Sequence, residues 1–159
     1  MEHPEEKLVR LLRERGLTVT TAESCTGGMI AGRIVDVPGA SWVLNQGLVT
    51  YSNEAKMRLL GVKEATLAAH GAVSSQTAEE MALGALASAS ADLALSSTGI
   101  AGPDGGTPEK PVGLVYLGCA CRGKVYIKKN LFAGSRAEIR EAAVNASIML
   151  ALSVLEGNV

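Results

Sequence analysis

From Pro4 onward, Leu8, Leu11 and Leu12 recur at helical spacing until Gly16, which predicts a first helix leaving through a left-handed glycine. The stretch LTVTTAE alternates and is β-branched, so a strand follows. In TGGMIAGRIVDVPG the side chains Ile30, Ile34 and Val37 fall on one side before Pro38-Gly39 stops a second helix. GLVTYS, Gly47 to Ser52, reads as a second strand, after which Ser52 or Asn53 caps a short helix, EAKMRLLG, closed at Gly61. KEATLAAHG is a short helical piece, and SSQTAEEMALGALASASA is a long helix with Thr77 and Glu80 at capping-box spacing. DLALSSTG is a third strand, and IAGPDGGTPEKPVG is too rich in Gly and Pro to be regular. VGLVYLGCACRGKVYIKKNLFAG predicts two strands joined in a hairpin at Arg122-Gly123-Lys124. A last helix runs from Arg136 to about Leu155 behind a capping box of Ser135 and Glu138.

Strands separated by helices, with a hairpin near the end, imply an α/β fold: three layers, α/β/α, around a mixed sheet. Sites in such folds collect at strand ends. Three candidates lie there: the Ser24 corner, the Tyr51 junction and the glycine loop after Thr98. At 159 residues and 47% hydrophobic, the expected organisation is a single domain over 1–159. Fifteen basic and sixteen acidic side chains make no basic face, so no nucleic acid or membrane is expected as a partner, only a small molecule. With aromatics at 3%, the core must be Leu, Val, Ile and Ala, and such an Ala-rich chain is expected to form a homo-oligomer. The charged N-terminus has no apolar signal core, and Cys25, Cys119 and Cys121 suggest neither a disulfide framework nor a zinc site. Cys119 and Cys121 should share one strand face, and a reducing cytoplasm is the expected location.

Ser24, in TTAESCTGGM, sits at a strand-to-helix corner, where it would serve as helix cap, nucleophile or both. A nucleophilic serine needs a base. His3 lies at the terminus and His70 at a helix end, so a histidine triad is disfavoured. Lys56 is the leading base, since burial or the start of a helix would favour its free amine, and Tyr51, five residues earlier, would hold or relay the proton. Exposed lysines are usually only solvated, so YSNEAK by itself is a weak signal. Cys25 is a rival nucleophile without a nearby histidine. Backbone N–H groups of Cys25, Thr26, Gly27 and Gly28 would make an oxyanion hole. The loop matches no standard nucleotide motif, yet Thr98, Gly99 and Gly102 would help cradle an anion. Arg136 and Arg140, one turn apart at the start of the last helix, would bind a phosphate.

Taken together and in order, TTAESCTGG, GLVTYSNEAKMRLLGV, HGAVSSQTAEEMA and STGIAGPDGGTPEKPVG resemble the C-terminal domain family of the competence/damage-inducible protein CinA, whose standalone members are nicotinamide-nucleotide amidohydrolases. The resemblance covers almost the whole chain. It implies hydrolysis of the carboxamide of nicotinamide mononucleotide to nicotinate mononucleotide and ammonia, with Ser24, Tyr51 and Lys56 matching the family's serine, tyrosine and lysine and with neither metal nor cofactor. Larger relatives carry an N-terminal domain of the molybdopterin-binding type, for which 159 residues leave no room, so its pyrophosphatase activity is not expected. The alternative is a non-catalytic nucleotide-binding or regulatory module of the same fold.

Overall fold

The computed structural model describes all 159 residues. Helix α1 (Pro4–Arg15) exits at Gly16 and leads to strand β1 (Val19–Glu23), helix α2 (Met29–Val35), a short turn of 3-10 helix at Ala40–Trp42 and strand β2 (Leu44–Val49). Helices α3 (Asn53–Leu60), α4 (Glu64–His70) and α5 (Ser75–Ala89) follow, then β3 (Leu93–Gly99), β4 (Leu114–Cys121), β5 (Lys124–Leu131) and α6 (Arg136–Glu156).

The five strands form one mixed sheet in the order β2-β1-β3-β4-β5. β2, β1 and β3 are parallel, whereas β4 and β5 add on antiparallel through the Arg122-Gly123 hairpin. On one face Leu93, Leu95, Val115, Leu117 and Cys119 pack with Leu8 and Leu12 of α1, Ile30 and Ile34 of α2 and Ile139 and Ile148 of α6. Cys119 and Cys121 do share this face. On the other, Ala22, Ala94 and Ala120 meet Met81, Ala82 and Ala85 of α5 and Leu60 of α3. Small sheet residues on that second face let α5 approach closely, which completes the three layers. No helix is long and apolar enough to cross a membrane.

Two expected boundaries are corrected. The second strand is Leu44–Val49, not Gly47–Ser52. Gly47 lies inside it opposite Thr21, where a Cβ would come within 2.7 Å of the Thr21 hydroxyl, so the glycine marks close packing and not a strand start. The ladder ends where Thr50 N–H reaches the carbonyl of Glu23, and the chain then leaves the sheet for Ser52, whose hydroxyl caps α3 by accepting from Ala55 N–H. The long helix is capped by Ser74, not by a Thr77–Glu80 box: Thr77 N–H donates to Ser74 Oγ. Glu80 accepts instead from Lys63 N–H and Thr66 Oγ1, holding the start of α4. The capping box of Ser135 and Glu138 on α6 is present as expected.

The contact of α3 with α5 depends on Gly84, where a Cβ would stand 1.9 Å from the carbonyl oxygen of Leu60. Gly84→Ala should therefore lower stability by about 1–3 kcal/mol in urea unfolding, because the two helices must separate. Gly32→Ala, inside α2 with nothing within 4 Å of the added Cβ, should raise it by about 0.5–1 kcal/mol. Equal effects of the two changes would refute this account of the packing.

Candidate active site

The carboxyl ends of β2, β1 and β3 lie side by side, and the chain leaving each contributes to one cleft of about 200 Å³. Its lining includes Ser24 after β1, Tyr51, Asn53 and Lys56 after β2, Thr98 and Gly99 at the end of β3, and Arg136 from α6. The larger concavity between α1 and Pro38 is lined by no serine, threonine or cysteine.

Lys56 points from the first turn of α3 under the sheet edge and is 1% exposed. Its Nζ lies 3.1 Å from Ser24 Oγ, 3.0 Å from the carbonyl of Thr50 and 3.3 Å from that of Tyr51. No carboxylate is within ion-pair distance of it. Burial therefore pulls its pKa below the ordinary 10.5, opposed only by the nearby Cys25. A free amine has two N–H groups and one lone pair. The two carbonyls take the N–H groups, and the lone pair is left for the serine proton.

Ser24 does not cap α2. Residues Ser24–Gly28 form a turn, with Gly27 and Gly28 both at positive φ, and Gly28 holds the N-cap position. The capping is done by Glu23, whose carboxylate accepts from Ile30 N–H at 2.8 Å, Ala31 N–H at 3.0 Å and the Thr26 hydroxyl at 2.6 Å. That frees Ser24 Oγ for Lys56. Within the turn, Gly27 N–H closes on Ser24 carbonyl and Met29 N–H on that of Thr26, while the N–H groups of Cys25, Thr26 and Gly28 meet no acceptor in the chain. Those three, without Gly27, are the remaining candidates for an oxyanion hole.

Several expected contacts are reassigned by this geometry. Arg140 does not line the cleft: its Nε donates to the Cys25 carbonyl at 2.9 Å and Nη2 to that of Thr26 at 3.2 Å, clamping the Ser24 turn from behind. Thr26 turns its hydroxyl inward to Glu23 and Ser97, and Gly27 faces Arg140. Gly28 also lies outside the lining, as does Gly102, whose carbonyl receives Arg136 Nη1 at 2.7 Å. The Tyr51 phenol accepts from Arg136 Nη2 at 3.2 Å and makes no hydrogen bond to Ser24 or Lys56; the residue holds the lysine through its main-chain carbonyl. Cys25 lines the cleft, but burial pushes its thiol up to about 11, away from a thiolate nucleophile. Thr98 lines it with its hydroxyl donated to the Ala72 carbonyl at 2.7 Å. His70 is exposed at the end of α4 and offers its carbonyl to Lys110. Glu23, Ser97, Asn53, Ala72 and Val73 were not singled out from sequence. For Glu23 the signal was available: an acidic residue closing an otherwise uncharged strand.

The sequence pattern of the CinA C-terminal domain matches residues 1–155. The chain belongs to the CinA C-terminal domain family. It is 56% identical over 98% of its length to a competence-damage inducible protein of Caldanaerobacter subterraneus subsp. tengcongensis, and 58% identical over 89% to a CinA-like protein of Kosmotoga olearia. It spans only 38% and 34% of those two relatives. Among solved structures, the competence/damage inducible protein CihA of Agrobacterium tumefaciens superposes with a TM-score of 0.89 at 46% identity, covering 97% of this chain and 96% of that one. A CinA superfamily protein of Klebsiella pneumoniae 700603 gives 0.92 at 35% identity, over 98% and 99%. The three-layer mixed sheet is thus the fold of the CinA family.

Because the folded Lys56 value is depressed, the unfolded chain holds a proton there that the folded chain lacks between that value and 10.5. Stability rises with pH across this window, and the penalty is full below it. Lys56→Met keeps the apolar stem and removes the charge. In urea titrations the stability of wild type relative to this variant should climb as pH rises from the depressed Lys56 value towards 10.5; a flat difference would mean that the folded lysine is charged.

Proposed function

We propose that this chain hydrolyses the carboxamide of nicotinamide mononucleotide to nicotinate mononucleotide and ammonia. The observation that carries the reading is the 3.1 Å contact of Ser24 Oγ with a buried lysine amine that has no acidic partner. Ser24 Oγ attacks the amide carbon as its proton passes to Lys56 Nζ. The oxyanion is met by the unbonded N–H groups of the turn, chiefly Cys25 and Thr26. Lys56 then returns the proton to the amide nitrogen, the C–N bond breaks, and ammonia leaves an ester on Ser24. Water attacks that ester while Lys56 takes its proton, and the carboxylate departs as Ser24 is reprotonated. In this reading the reaction serves pyridine nucleotide salvage in the cytoplasm.

Arg136 supplies the guanidinium at the cleft mouth for the 5′-phosphate, beside Tyr51, which is 63% exposed and offers its ring to the base or ribose. This replaces the pair Arg136 and Arg140 by Arg136 alone. Tyr51 acts here as part of the binding wall and as a carbonyl ligand of Lys56, since its phenol is turned to Arg136.

The deciding assay is ammonia release from nicotinamide mononucleotide. Ser24→Ala should abolish it, and Lys56→Ala should lower kcat by about 10²–10⁴-fold with substrate binding kept. Activity in wild type should rise with pH through the depressed Lys56 ionisation, since only the free amine accepts the proton. Full activity in either variant would remove the serine-lysine mechanism, and a folded wild type that binds the nucleotide without releasing ammonia would make it a binding module. Arg136→Ala should raise KM for the nucleotide by about 10–100-fold and for its unphosphorylated riboside far less; an equal effect on both would take the phosphate away from Arg136.

A further inference from the structure

Glu23 is fully buried, and no cation lies within ion-pair distance of its carboxylate. A buried carboxylate is a poor source of stability, because an apolar side chain of similar volume avoids the desolvation cost. Every contact it makes is directed to the segment that carries Ser24. Oε1 takes the Thr26 hydroxyl and Ile30 N–H, and Oε2 takes Ala31 N–H.

The Thr26 hydroxyl has one proton, which goes to Glu23, so at its 2.6 Å contact with Ser97 it accepts and the Ser97 hydroxyl donates. Ser97 also receives Ser24 N–H on its main-chain carbonyl at 3.0 Å. The Ser24 carbonyl is held by Gly27 N–H, also at 3.0 Å. The N–H of the serine is thus tied through Ser97 and Thr26 to the Glu23 carboxyl group, while its carbonyl closes the same turn onto Gly27. We propose that Glu23 is a positioning residue for the nucleophile: through Thr26 and the first N–H groups of α2 it holds the Ser24 turn so that Ser24 Oγ stays against Lys56 Nζ. The inference rests on the serine-lysine reading for its kinetic consequence, but its geometric content stands apart from that reading.

Glu23→Gln preserves the shape and leaves an NH₂ facing a backbone N–H, so one of the three bonds is lost and the turn is released. The expected result is a fall in kcat of about 10–100-fold with KM within about twofold, the size of loss that follows misplacement of a reacting group by about 1 Å. The acid limb of the pH profile should not move, because Lys56 is unchanged. A crystal structure of the variant should show the contact between Ser24 Oγ and Lys56 Nζ broken. Thr26 provides a second route that survives if Glu23→Gln does not fold: Thr26→Val should lower kcat with KM kept, and Thr26→Ser, which restores the hydroxyl, should recover most of that loss. Wild-type kcat and an intact contact in folded Glu23→Gln, or equal kcat in the two Thr26 variants, would overturn the proposal. A wild type that releases no ammonia would sink the amidohydrolase reading instead, and the crystal structure of Glu23→Gln would still decide whether Glu23 holds the turn.

Discussion

The burial of one uncompensated amine organises this end of the molecule. Lys56 lies beneath the sheet edge with two carbonyls and a hydroxyl for company and no carboxylate to neutralise it. That arrangement favours the free base, and it demands that the chain between β2 and α3 turn tightly enough to present the carbonyls of Thr50 and Tyr51 inward. The Ser52 cap, the α3 exit at Gly61 and the close fit of α3 on Gly84 of α5 all serve to keep the lysine there. A looser junction would admit water and return the lysine to its ordinary pKa.

The Ser24 turn is held from two sides by an acidic and a basic side chain. Glu23 binds N–H and hydroxyl donors on the α2 side, and Arg140 binds the carbonyls of Cys25 and Thr26. Because the N–H of a peptide unit points opposite to its C=O, pulling the Cys25 carbonyl towards Arg140 turns the Thr26 N–H away from it. Donors without acceptors inside a folded chain are uncommon, and here they lie beside the serine. The arginine thus has a more specific task than attracting an anion. Arg136, not Arg140, presents its guanidinium to the cleft, steadied by Gly102 and Tyr51.

Periodicity and end signals in the sequence were sufficient for the order of elements, the mixed α/β class and the caps of α3 and α6, because these depend on neighbours within a few residues. The approach of Ser24 to Lys56 was suggested by motif resemblance and by the chemical need for a base. Local reading went astray wherever a distant residue decided the outcome. Gly47 packs against Thr21 inside the strand, Glu23 and not Ser24 caps α2, and Ser74 caps α5 while Glu80 is engaged by α4.

By itself the sequence determined which side chains of the CinA-family chain are available for chemistry and on which strand ends they sit, since hydrophobic period and turn residues act locally. Only the tertiary structure decided how each is used. Whether a lysine is a solvated cation or a buried base, whether an arginine faces a ligand or a carbonyl, and whether a tyrosine offers its phenol or its main chain all depend on desolvation and on bonds to residues up to 115 positions away. Such partners are brought together by the sheet and its two helical layers, and no local pattern encodes them.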